Sequence, residues 1–160
     1  AFEYLEQNNI ETIIISLKNN YRSVDWKNFV RELEKYKIKK LIIVGAVPQY
    51  KPSLPHAYAT NVGRESWVNI SKNVNKFLMY NRAISDNTFL KNLELESLKI
   101  KIVKIHPYDF LCGSENFCKY LVPNAPEKDK LMLFDYGHLS YSGSKYLARE
   151  LFSKYYAEDI

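Results

Sequence analysis

The chain has 160 residues, 46% apolar and 14% aromatic, with a formal net charge of +5. That is the balance of one folded domain with a buried core, and it excludes an intrinsically disordered chain. No apolar run approaches the roughly 18 to 20 residues of a membrane span, so the segment is expected to be soluble by itself. It begins at Ala1 without a signal peptide, as a mature or excised fragment would. The lysines are scattered, with no basic stretch interleaved with stacking aromatics, so the charge reads as a solvated face and nucleic acid is not an expected partner.

In chain order, Thr12–Ser16 is a continuous β-branched run that suits a parallel strand covered on both faces. Asp25–Lys37 then places Phe29, Val30, Leu33 and Tyr36 on one helical stripe. Leu41–Gly45 repeats the buried-strand pattern. Ala46–Gly63, with Pro48, Pro52 and Pro55, predicts a long loop whose length points to function. Glu65–Ala83 puts Trp67, Ile70, Val74, Phe77 and Leu78 on one helix face, and Asn87–Leu98 reads as a weaker helix. Trp26 and Trp67 are expected in the core.

Ile100–Ile105 is β-branched but carries Lys101 and Lys104, as a strand near an edge does. A second loop, Pro107–Lys130, holds both cysteines. Leu131–Phe134 is a short apolar run read as a fourth strand. The last helix, about Tyr141–Tyr156, buries Leu147, Leu151 and Phe152, with Ser140 as its N-cap. This alternation predicts one domain over residues 1–160, a three-layer α/β/α sandwich with a mainly parallel sheet. Loops after Ser16, Gly45 and Phe134 would share the rim where such sheets bind ligands. By that placement Gln49, Tyr50 and His56 are candidate substrate contacts.

Cys112 and Cys118 enclose five residues. Inert thiols are one reading, and a zinc site would want two more clustered ligands. A local disulfide is preferred, and it implies an oxidising compartment. No metal constellation is visible and no cofactor is expected. Asp135 and His138 stand three residues apart where an apolar run gives way to a helix start. One turn of backbone can set the carboxylate against a ring nitrogen and leave the other nitrogen as a base. Asp135 as a helix cap is the plainer alternative. His106 reads as structural, and Ser140 and Ser142 read poorly as nucleophiles.

Asp135-Tyr-Gly-His138-Leu-Ser-Tyr-Ser-Gly143 resembles the last sequence block of the SGNH (GDSL-like) hydrolase and acyltransferase superfamily. With Val44-Gly-Ala-Val-Pro-Gln49 and the Cys112/Cys118 pair, the chain is similar to the C-terminal SGNH domain fused to membrane acyltransferase-3 proteins, which O-acetylate bacterial surface polysaccharides. The resemblance implies His138 as the base for a serine of a Gly-Asp-Ser block and Asp135 as the acid that orients it. Leu17-Lys18-Asn19-Asn20 falls where that family has Gly-x-Asn-Asp, which makes Asn19 the implied oxyanion donor. Leu17 replaces the glycine there, and Asn20 replaces the acid.

No Gly-Asp-Ser occurs, and the first glycine is Gly45. The family's first strand and helix are therefore expected before Ala1, and this piece is expected to be inactive alone. The implied protein is an extracytoplasmic O-acyltransferase domain, at the periplasmic or extracellular face. A membrane acyltransferase domain would supply its acyl group, and a glycan would accept it. An esterase of the same fold is the near alternative. A degenerate module that binds a glycan or a protein partner is the non-enzymatic one.

Overall fold

The computed structural model describes residues 2–17, 19–61, 67–113 and 117–153. Lys18, Gly63, Glu65, residues 154–156 and the side chain of Trp67, which the sequence expectations include, lie outside them. In chain order the elements are α1 (Phe2–Gln7), β1 (Thr12–Ser16), α2 (Trp26–Leu33), β2 (Lys40–Val44), α3 (Leu54–Ala59), α4 (Trp67–Asn75), α5 (Tyr80–Asn92), β3 (Lys101–Ile105), α6 (Pro107–Cys112) and α7 (Tyr141–Leu147). The last continues into a π-helical turn, Ala148–Phe152. The chain forms two compact units, residues 1–46 with 84–106, and residues 47–83 with 107–160.

The first unit carries a parallel sheet in the order β1-β2-β3, with Ile14 opposite Ile42 and Ile42 opposite Val103. β2 is buried along its whole length, as its unbroken Leu-Ile-Ile-Val run requires of a central strand. β3 is an edge strand, in keeping with its two lysines. β1 departs from the expected double burial. It is the other edge strand, so Ile13 and Ile15 pack on the core while Ile14 is 52% exposed. The core comprises Tyr21, Trp26, Val30, Leu33, Ile38, Leu41, Ile43, Leu90 and Ile100. Each fully buried Leu or Ile among them contributes on the order of 1.5 to 3 kcal/mol.

α2 begins where Asp25 accepts a hydrogen bond from the Asn28 amide at 3.1 Å. It ends four residues short of the predicted Lys37, because Lys35 and Tyr36 bond back only three residues, to Glu32 and Leu33, and tighten the chain into turns.

The second unit corrects four sequence expectations. The proline-rich stretch is not structureless: Ser53 caps α3 by accepting from the His56 amide, and Pro55 sits in the first turn, where its missing N–H is harmless. The predicted Glu65–Ala83 helix is broken after Asn75. Residues 77–79 leave the helical path to pair with 49–51, through Lys51 N to Phe77 O at 2.8 Å and Met79 N to Gln49 O at 2.7 Å. Leu131–Phe134 is not a sheet strand. Leu131 and Leu133 make isolated antiparallel bridges to Leu121 and Leu139, the first across the 122–130 loop and the second because the chain reverses at Asp135–His138. Of the three loops expected on one rim, those after β1 and β2 therefore follow parallel strands, and the one after Phe134 closes a local hairpin. The second predicted loop likewise holds α6. The whole is a mixed α/β fold built on a parallel sheet, as the sequence pattern implies.

Candidate active site

The reversal after Phe134 is built by one carboxylate. Asp135 Oδ1 accepts from the backbone N–H groups of Gly137 and His138, both at 2.8 Å. This closes an Asx turn, the local bond that makes Asp a turn former. The same turn swings the imidazole over the second oxygen, with Nδ1 of His138 2.6 Å from Asp135 Oδ2. Partial burial of Asp135 raises its pKa, but the N–H donors of Gly137 and His138 and the adjoining ring outweigh it and hold the carboxyl below the ordinary carboxylate range. Asp135 is thus ionised at neutral pH, and its oxygen beside Nδ1 favours the tautomer with the proton there, in which Nε2 is the acceptor. One oxygen of Asp135 thus closes the turn and the other faces the ring, while the cap of the helix that follows is Ser140.

The imidazole is accessible, with 55% of its side-chain surface exposed. Phe134 lies nearly parallel to it at 5.8 Å between ring centres, and Tyr136 meets it edge-on at 5.5 Å. Two aromatic rings thus limit its rotation without covering it.

Behind the turn runs the segment after Val47. Tyr50 N donates to Tyr136 O at 2.7 Å and Leu54 N to Asp135 O at 3.1 Å. Gly137 packs so closely on Gln49 that a Cβ there would lie 3.2 Å from Gln49 Cγ. Gln49 and Tyr50 are accordingly buried, at 5% and 1% exposure. His56 is exposed on α3, edge-on to Phe77.

After His138 the chain enters α7. Ser140 Oγ accepts from the Gly143 amide at 2.9 Å and donates to Leu131 O at 2.6 Å, so it is the predicted N-cap. Gly143 is required by contact: a Cβ would fall 2.2 Å from Met132 O. Asp129 Oδ2 accepts from Ser142 N at 2.7 Å. Hydrogen bonds from Ser142 hold the Asp129 carboxyl below its usual range. No sequence signal marked Asp129, because it serves the helix from thirteen residues upstream.

Cys112 and Cys118 form the preferred disulfide, with an S–S distance of 2.07 Å. The Cys118 amide donates to Asn75 Oδ1 at 3.0 Å, which ties the bridge to the end of α4. In the first unit His106 Nδ1 meets Asn87 Oδ1 at 3.1 Å, a structural contact. Asn19 is half-buried on the bend that follows β1.

Residues 2–152 match the family described as the SGNH domain (fused to AT3 domains). The chain belongs to the SGNH family. No curated protein matches it. Among solved structures, the SGNH domain described here is similar to the lipopolysaccharide acetyltransferase periplasmic domain of Salmonella ser. Paratyphi A. The TM-score is 0.65 at 19% sequence identity, covering 96% of this chain and 60% of that one. At that identity the likeness establishes a shared fold, and the chain spans about three-fifths of its structural neighbour. The Asp135–His138 turn occupies the stretch whose sequence resembles the last SGNH block.

Proposed function

We propose that this SGNH domain is the extracytoplasmic part of an O-acyltransferase that moves an acyl group, acetyl in the simplest case, onto a hydroxyl of a bacterial surface glycan. One observation carries the reading: an ionised Asp135 holds Nδ1 of His138 at 2.6 Å while the imidazole stays open to a reactant. That is the acid–base half of a Ser-His-Asp triad. Membership of a family fused to AT3 domains supports a membrane acyltransferase domain as the source of the acyl group. The disulfide, and the periplasmic setting of the structural neighbour, support an extracytoplasmic location. Among the described residues no helix is long and apolar enough to cross a membrane, and the proposal assigns acyl delivery to that other domain.

The nucleophile in this scheme is a serine of a Gly-Asp-Ser segment, which these 160 residues do not contain. As its Oγ attacks the donor carbonyl, Nε2 of His138 takes the hydroxyl proton and Asp135 stabilises the imidazolium. The resemblance assigns stabilisation of the oxyanion to the side-chain amide of Asn19, a kind of donor worth roughly 3 to 4 kcal/mol in comparable sites. Collapse expels the donor's leaving group, which takes the proton from His138. In the second half Nε2 removes a proton from the glycan hydroxyl as its oxygen attacks the acyl-serine, and the serine leaves with that proton. His56, exposed on α3, is the candidate contact best placed to meet a substrate from solvent. Buried Gln49 and Tyr50 act on the site by bracing its turn.

The test is to follow acetyl from a labelled donor in membranes that hold the full-length protein and a surface glycan. Label in an ester on the glycan supports the transferase. Release of free acetate alone would make the protein an esterase. Glycan binding with neither product would make it a binding module.

A further inference from the structure

We propose that Asp86 and Tyr21 are positioning residues for Asn19, fixing the turn after β1 so that its amide is held ready for an oxyanion. The inference rests on the reading of Asn19 as the oxyanion donor, and it concerns the first unit alone.

Leu17 and Asn20, on either side of Asn19, are each held by a buried side chain. On the Leu17 side, Tyr21 Oη accepts from Leu17 N at 3.0 Å, and lies 2.7 Å from Leu17 O and 2.6 Å from Val44 O. The phenol is 0% exposed, and it locks the exit of β1 to the end of β2. At the other end, Asn20 adopts a left-handed conformation, φ 64° and ψ 37°, which Asn tolerates better than most residues. Its amide donates to Asp86 Oδ2 on α5 at 3.2 Å. Its carbonyl accepts from the amide and hydroxyl of Ser23 at 3.0 and 2.8 Å. Asn19 is thus bracketed by two residues whose backbone groups have assigned partners.

Simple chain reversal does not require this. A Gly or Asn at the left-handed position reverses a chain without help, whereas an acid side chain at 6% exposure is rarely buried without a specific partner. The sequence adds a second clue. Position 20 is where the resembled block has an acid, and this chain has Asn20 there. The carboxylate that reaches the turn comes instead from α5, 66 residues along the chain. A donor to a transition-state oxyanion works only within a few tenths of an ångström of its ideal distance. Misplacement by about 1 Å can cost on the order of 100-fold in rate.

A double-mutant cycle in the full-length protein tests this, with kcat and KM for acyl transfer as readouts. Asp86→Ala is expected to lower kcat about 10- to 100-fold with KM little changed, and Asp86→Asn, which keeps an acceptor oxygen, to restore most of it. In an Asn19→Ala background, Asp86→Ala is expected to cost nothing further, because there is no amide left to position. Tyr21→Phe, which removes one oxygen, should behave the same way and stands in if Asp86→Ala fails to fold. If Asn19→Ala lowers kcat but the second substitution multiplies the loss, Asp86 and Tyr21 do not act through Asn19 and the inference fails while the oxyanion reading stands. If Asn19→Ala leaves kcat unchanged, the oxyanion reading itself fails.

Discussion

Replacing Asp135 by Asn separates its two jobs. Asn keeps an oxygen to accept from the Gly137 and His138 amides, now both at 2.8 Å, so the turn should persist. Against Nδ1 of His138, however, it sets an NH2 donor in place of the carboxylate oxygen at 2.6 Å. Nδ1 must then accept, the ring proton moves to Nε2, and the base is lost. The wrong tautomer costs about 10⁴-fold in kcat in the Ser-His-Asp template, or about 5.5 kcal/mol of barrier.

Stability should change far less. The two side chains of the pair are 55% and 31% exposed, so solvent screening leaves only about 1 kcal/mol from the lost charged bond. Because the Asp135 carboxyl titrates below its ordinary range, its contribution is present above the unfolded carboxylate pKa of about 3.9. It fades as pH falls through the lower folded value. Urea midpoints of wild type and Asp135→Asn should thus differ at pH 7 and draw together below about pH 4. Acyl-transfer kinetics with the full-length protein, paired with those urea curves, make the assay. A folded Asp135→Asn protein that turns over within tenfold of wild type would refute the reasoning.

Gly143→Ala forces a Cβ to within 2.2 Å of Met132 O, so α7 must shift, at a cost of about 1 to 3 kcal/mol in urea unfolding; an unchanged midpoint would deny the contact. Ser140→Ala removes the cap on Gly143 and the bond to Leu131 O and should cost about 1 to 2 kcal/mol. Titration of the native protein should find no free thiol before reduction, because Cys112 and Cys118 are bridged. Reduction of this short loop, six residues in separation, should lower stability by roughly 2 kcal/mol on loop-entropy grounds.

Local signals were legible where local chemistry decides the structure. After Lys40, β2 is a run of apolar, mostly β-branched residues that suits a covered central strand. Asp135 and His138 needed only a three-residue spacing to meet, and Ser140 needed only the amide three residues on. Tertiary partners overruled local pattern elsewhere. Leu131–Phe134 has the composition of a buried strand, yet the Asx turn after it folds the chain back on itself. The 77–79 backbone breaks a well-formed helical stripe because 49–51 offers it hydrogen-bond partners. Three prolines disguised α3, although Ser53 and Pro55 together form a helix start. Gln49 and Tyr50 carry no local signal of burial, and packing against the turn decides it. Asp86 was invisible in the sequence, since nothing near residue 86 announces a partner at residue 20.

The central claim is that His138 is the base of a glycan acyl transfer, and its replacement tests this most directly. Cells expressing full-length protein, wild type or His138→Ala, would be compared for ester-linked acetyl on their surface glycan by NMR. The urea midpoint of the purified domain would serve as a folding check. We expect the ester signal to vanish in His138→Ala while the unfolding free energy from the urea curves stays within about 1 kcal/mol of wild type, as for an exposed side chain. A folded His138→Ala protein that still acetylates the glycan at the wild-type level would contradict the account.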